Sequence, residues 1–340
     1  MRLHQPQAPL RDVAPLVEGW AGRAWLARTL REFALQDWWV LAYHVTLFLA
    51  ALQGSGPMRE SCLERTSALV ALHLSTLCLI RGGLIRNRVA APLLYRFVVY
   101  GGVQLSYFLL RDLLPTASSA VLDGQLYELD RRLFGVEPTL WADRFVTPAT
   151  TEWFSFFYYS YFLLLAVHVL PLLFVMRRLR LAAEFALAIF FTFCTAHVLY
   201  MVVPGYGPYW FLADQYQHAL PHGFFYDLVL GAVSAGGALK DIFPSLHTAA
   251  PTAIALFSFR HRRELPFRYT WPITAFFALN IIGATIFLRW HYAIDVVAGL
   301  ALAATSVALA ARLSPRESER RARLGLSTIW PALPWRGAPL

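Results

Sequence analysis

Two histidines and an aspartate in the last third of the chain have types and spacing that suit phosphoryl transfer. His291 and Asp295 stand four apart in Arg289–Asp295, RWHYAID, and on a helix that spacing puts them on one face. A carboxylate bonded to one ring nitrogen would fix the tautomer and leave the other nitrogen as nucleophile or base. The plainer alternative is a structural ion pair of Asp295, for instance with Arg289. His247 closes Phe243-Pro244-Ser245-Leu246-His247. Pro244 suits the first turn of a helix, where its missing N–H costs nothing. The free N–H groups of that turn, with the helix dipole, would form an anion site beside Ser245. His247 then falls about one turn in, placed to give a proton to a phosphate ester. A helix start carrying a satisfied histidine is the bland reading of the same residues.

Two cations lie close by in sequence: Arg289 two residues before His291, and Lys240 seven before His247. Both are candidates to neutralise phosphate oxygens. Gly205-Tyr206-Gly207, followed by Pro208, shapes a tight turn; alternatively its backbone N–H groups approach the phosphate. Together these parts describe transfer without metal or cofactor. His291 attacks phosphorus, Asp295 steadies the imidazolium, and His247 protonates the departing oxygen. Water or another hydroxyl then attacks the phosphohistidine with His247 as base.

The elements that must position these groups are membrane helices. The chain is 57% hydrophobic and 15% charged, where a soluble domain carries about a quarter charged residues. Its charge of +9 comes as short basic clusters between apolar runs, the pattern of membrane loops rather than of a nucleic-acid groove. Eight runs qualify as spans: about 37–53, 66–80, 92–111, 153–175, 182–203, 244–259, 270–288 and 291–311. Arg96 interrupts the third and the sixth is short. Their continuity rules out a β-barrel. The expected fold is an all-α integral membrane protein of about eight transmembrane helices. It divides into a basic segment 1–36, two additional helices over 37–91, a six-helix core over 92–311 and a tail 312–340.

Every second connection is rich in arginine. Arg2, Arg11, Arg23, Arg28 and Arg31 precede the first span, Arg81, Arg86 and Arg88 follow the second, and Arg177, Arg178 and Arg180 follow the fourth. Arg260, Arg262, Arg263 and Arg268 follow the sixth, and Arg312, Arg316, Arg320, Arg321 and Arg323 mark the tail. These connections belong in the cytoplasm, with both termini, which puts the candidate site on the outer face. Arginine used almost to the exclusion of lysine, with Lys240 the only lysine, suggests a GC-rich genome and so a bacterial cell membrane. The first 30 or so residues have no uninterrupted apolar core, so no cleavable signal peptide is expected. Cys62, Cys78 and Cys194 are scattered and imply neither a zinc site nor a disulfide framework.

The residues resemble the type-2 phosphatidic-acid phosphatase superfamily, and more closely its branch of inositol phosphorylceramide and sphingomyelin synthases. Pro244-Ser245-Leu246-His247 matches that branch's leucine form of the phosphatases' P-S-G-H, and His291 with Asp295 matches the closing H-x-x-x-D. The resemblance covers about 92–311 and implies a His291 nucleophile, a His247 general acid and no metal. Two departures stand out. The K-x(6)-R-P clamp is absent, with Gly205-Tyr206-Gly207-Pro208 near its place, and Ala284-Thr285 replaces the expected Ser-Arg. The phosphate-binding roles of Lys240 and Arg289 are therefore read from chemistry alone. The implied partners are a phospholipid or other phosphate-bearing lipid, a hydroxyl acceptor or water, and the bilayer, without nucleic acid. Lipid phosphotransferase is the first reading; a lipid or polyprenyl phosphate phosphatase and a membrane transporter are the alternatives.

Of the remaining residues, His44, His73, His168 and His197 read as helix-packing histidines. Trp153, Tyr158, Tyr159 and Tyr161 fit an interfacial aromatic belt, the sharper alternative being a head-group pocket. Arg96 lines the interior or snorkels. The tail from Ser314 reads as a flexible, membrane-apposed segment.

Overall fold

The computed structural model describes residues 14–175 and 178–334; Arg2, Arg11, Arg177 and the last six residues lie outside them. The chain runs through helices α1 (Ala14–Glu32), α2 (Leu35–Gln53), α3 (Arg59–Arg81) and α4 (Ala90–Ala117). Then come α5 (Asp123–Phe134), α6 (Pro138–Ala142), α7 (Pro148–Leu170), α8 (Leu179–Val202) and α9 (Pro208–Phe211). Last are α10 (Phe224–Gly236), α11 (Leu246–Arg260), α12 (Phe267–Phe287) and α13 (Ala293–Arg323). Among the described residues the only β pairing is an isolated parallel bridge between Gly205 and Asp241.

Among the described residues seven helices, α2, α3, α4, α7, α8, α12 and α13, are long and apolar enough to cross a bilayer. The chain is a multi-pass membrane protein. The eighth expected span is α11, whose 15 residues reach about 23 Å at 1.5 Å per residue, short of a core of about 30 Å. It starts inside the protein, at the candidate site, and non-helical backbone is tolerated at such depth where it lines a cavity. At the centre stands α8, buried on every side from Leu181 to Cys194, as a helix apolar all round must be. It packs against α2, α4, α11 and α13.

The arginine-bearing connections meet at one end of this bundle. Arg178, before α8, pairs with Glu264, before α12. Arg260 at the end of α11 pairs with Glu184 of α8, and Arg321 of α13 with Glu32 of α1. At the opposite end α5 packs against α13 and α9, α6 against α12, and α10 against α7.

The tail is not the loose segment that its mixed charges suggested. Helix α13 continues to Arg323, and the chain then folds back with Trp330 and Leu333 buried. Arg81 donates to the carbonyls of Thr328 and Ile329, and Arg96 to those of Leu173 and Pro331. The Arg96 guanidinium also lies 5.4 Å from the Trp330 ring centre. Two apolar anchors and arginines that satisfy the tail's carbonyls outweigh its polar composition. Trp330→Ala should cost roughly 3 kcal/mol, typical of a large aromatic lost from a core. A thermal melt in detergent checks this, expecting a midpoint lowered by several degrees and the tail opened to protease.

Candidate active site

His247 owes its place to a turn anchored on α13. Ser245 caps α11, its hydroxyl accepting from the Thr248 amide at 3.2 Å, and its own amide donates to the Asp295 carbonyl at 3.1 Å. Gly299 makes this approach possible: a Cβ there would stand 2.7 Å from the Ser245 carbonyl oxygen. Pro244 is therefore not in the first helical turn, as its residue type suggested, but precedes the cap, and His247 is the second helical residue. Ser245 is fully buried and serves as the cap. The amides of Leu246 and His247 make no hydrogen bond among the described residues, so the exposed donors of this N-terminus remain as a partial positive site.

The His247 ring is held between two tyrosines of α7. Tyr158 stacks on it with centroids 4.2 Å apart and planes 13° apart, and Tyr161 lies at 4.3 Å. The Tyr158 hydroxyl is 3.4 Å from Nδ1, while Nε2 has no partner among the described residues. Tyr158 and Tyr161 are thus buried site residues and not part of an interfacial belt; Trp153, 53% exposed, and Tyr159, 37% exposed, still fit the belt.

His291 sits in the turn between α12 and α13, and its ring centroid is 6.4 Å from that of His247. Its Nδ1 lies 2.9 Å from the Ile242 carbonyl oxygen, which can only accept, so Nδ1 carries the proton and Nε2 is the free lone pair. The expected orienting bond from Asp295 is longer, 3.5 Å from Nδ1. One Asp295 oxygen instead accepts from the Tyr292 amide at 2.9 Å, capping α13. The fixing of the tautomer has passed from the carboxyl group to a backbone carbonyl, and Asp295 remains as a buried carboxyl nearby.

The structure does not bring the predicted phosphate clamp to the histidines. Arg289 donates to Asp143 at 2.7 Å and to the His218 carbonyl, and stacks 3.8 Å from the Tyr216 ring centre. Lys240 donates to the carbonyls of Ser118 and Ala120, both at 3.2 Å, and burial lowers its ammonium pKa against the pull of Asp123. The amides of Tyr206 and Gly207 are likewise spent, on Asp123 at 2.9 and 2.7 Å. Gly207 itself is required, with φ of +101° and a virtual Cβ 2.7 Å from the Trp290 carbonyl oxygen. Gly205 pairs with Asp241 in the single bridge. From α5, Asp130 caps α13 through the amides of Ala293 and Ile294 at 2.6 and 2.8 Å. Acids of neighbouring segments and backbone carbonyls thus consume the cations and amides that residue type alone made available.

What the histidines do share is a cavity of about 450 Å³. It is lined by Tyr107, Tyr158, Tyr161, Tyr206, Tyr209 and Trp290, with Asp241, and neither lysine nor arginine lines it. Leu105, Phe108 and Phe162 also line it while being 65%, 56% and 49% exposed, so the cavity meets the outer surface of α4 and α7 along apolar side chains. Asp241 was legible only as a loop acid. Its Oδ2 accepts from the Tyr107 hydroxyl at 2.7 Å, and burial raises its carboxyl pKa while Tyr107 and His291 oppose the rise. Among the described residues no group of three or more His, Cys, Asp or Glu is arranged to hold a metal.

Among known families, residues 124–309 match the model of the PAP2 superfamily. The match starts after α4, yet α4 contributes Tyr107 to the cavity. No curated protein and no solved structure matches the chain significantly.

Proposed function

For a chain that belongs to the PAP2 superfamily, we propose that this cavity is the active site of a membrane lipid phosphotransferase working through a phosphohistidine on His291. Membership sets the coarser class, lipid phosphatase or phosphotransferase. The observation that carries the finer reading is the pairing of His247 and His291 across a cavity open to lipid along Leu105, Phe108 and Phe162. The Nε2 lone pair of His291 attacks phosphorus, the phosphorus–oxygen bond to the lipid breaks, and His247 supplies the proton to the departing oxygen. An acceptor hydroxyl then attacks phosphorus, its proton passes to His247, and the bond to Nε2 breaks.

The absence of lysine and arginine from the lining favours a phosphodiester over a phosphomonoester. A monoester brings close to two negative charges at neutral pH, and here it would meet Asp241 without a cation; a diester brings one. The free amides at the start of α11 suit that smaller charge. This is the argument for the synthase-like branch and against an ordinary phosphatase. The gathering of arginines at the opposite end of the bundle supports a site on the non-cytoplasmic face.

The test is a donor panel: labelled phosphatidylethanolamine, phosphatidylglycerol and phosphatidylinositol against phosphatidic acid, with purified protein in mixed micelles. It is run with and without added alcohols, in EDTA. Diesters should turn over and transfer label to alcohols. Turnover confined to phosphatidic acid, with free phosphate as product, would make water the acceptor and the chain a phosphatase. Dependence on a divalent metal would sink the histidine mechanism.

A further inference from the structure

Asp241 is the one carboxylate lining a cavity that must hold a phosphoryl group. A carboxylate repels phosphate oxygens at close range, so its place there needs another ligand. Its position is tightly determined. Tyr107 holds Oδ2 at 2.7 Å, the backbone is bridged to Gly205, and the carbonyl of the next residue, Ile242, holds His291. The carboxylate and the nucleophile are therefore registered on one stretch of backbone. Among the described residues no other side chain donates to Asp241, and no lysine or arginine lines the cavity to neutralise it. A fixed carboxylate with acceptor capacity left, facing a phosphorylated histidine, matches a ligand that donates hydrogen bonds: a hydroxyl compound.

We propose that Asp241, held by Tyr107, binds the acceptor, its carboxylate taking a hydrogen bond from the hydroxyl compound that attacks phosphorylated His291. This deepens the phosphohistidine reading and rests on it. The attacking oxygen forms the new bond to phosphorus, the bond to Nε2 breaks and returns its electron pair to the ring, and the hydroxyl proton goes to His247. Asp241 neither gives nor takes a proton in this step and acts by orienting the hydroxyl compound. A polyol can spend one hydroxyl on Asp241 and attack with another, which water cannot, so the same contact favours transfer over hydrolysis.

The two half-reactions separate this from a structural role. With bis(p-nitrophenyl) phosphate as donor, the first p-nitrophenolate burst reports phosphorylation of His291, and glycerol as acceptor reports transfer. Asp241→Asn should lower kcat/KM for glycerol about 100-fold and slow the burst only a few-fold, with product moving from transfer towards hydrolysis. Tyr107→Phe, which keeps the carboxylate and frees it to turn, should raise the KM for glycerol about tenfold. A burst lost as fully as transfer in Asp241→Asn would make the residue part of the nucleophile's environment and overturn the proposal. Unaltered glycerol transfer would overturn it alone. Absence of both burst and lipid turnover in the unaltered protein would overturn the phosphohistidine reading itself.

Discussion

His291→Gln is expected to lower turnover by about 10⁴-fold or more, the scale on which loss of a covalent nucleophile is felt. Glutamine keeps a polar group near the Ile242 carbonyl and removes the Nε2 lone pair. The companion variant is more telling. In His247→Asn the ring that serves both half-reactions is gone, but p-nitrophenolate is a leaving group good enough to depart unprotonated. With bis(p-nitrophenyl) phosphate His291 should still be phosphorylated, while the second step, lacking its base, stalls. The protein should accumulate close to one p-nitrophenylphosphoryl group per chain, held to nitrogen and labile to acid as a phosphoramidate is. Mass spectrometry of the trapped protein checks the site. Label on His247, or turnover that survives His291→Gln, would reverse or remove the assignment.

What the sequence disclosed and what it hid divide along physical lines. The helices were legible because each span must satisfy its own backbone in lipid, and an apolar run such as 182–203, observed as α8 (Leu179–Val202), has few other solutions. The two histidines that line the cavity were marked by residue type and motif, although His291 lies in the turn before α13 and is held by Ile242, not on the helix face that H-x-x-x-D suggested. Groups whose fate depends on distant loops were not legible. Asp143, on the turn after α6, claims Arg289; Asp123 of α5 claims the amides of Tyr206 and Gly207. Nothing local in RWHYAID or GYGPYW announces those partners. The aromatic residues went the same way: Tyr158 and Trp153 are five apart on one helix, and only packing decides that one stacks on His247 while the other is exposed. Asp241 was hidden by its neighbours, since beside the lone lysine it read as an ordinary loop acid.

The same transfer of a role from side chain to backbone sets the size of the second large effect. Asp295→Asn is expected to lower kcat by about 10²-fold. In serine hydrolases, amidation of a carboxylate that alone holds the catalytic tautomer costs about 10⁴-fold. Here the Ile242 carbonyl, at 2.9 Å from Nδ1, keeps that task, so the tautomer survives the substitution. What is lost is a carboxyl group 3.5 Å from Nδ1, able to carry the negative charge that opposes the positive charge gathering on His291 as phosphorus is attacked. At an effective dielectric of about 20 such a pair is worth roughly 5 kcal/mol. The asparagine dipole recovers part of it, leaving roughly 3 kcal/mol, or about two powers of ten. Asparagine also keeps an acceptor for the Tyr292 amide, so folding should be little changed. Asp295→Ala removes that cap as well and should cost about 1 kcal/mol of stability beyond the catalytic loss. Single-turnover rates measured beside thermal melts separate the two effects. A 10⁴-fold loss in a well-folded Asp295→Asn would return the tautomer to the carboxylate, and an unaltered rate would leave Asp295 as a helix cap alone.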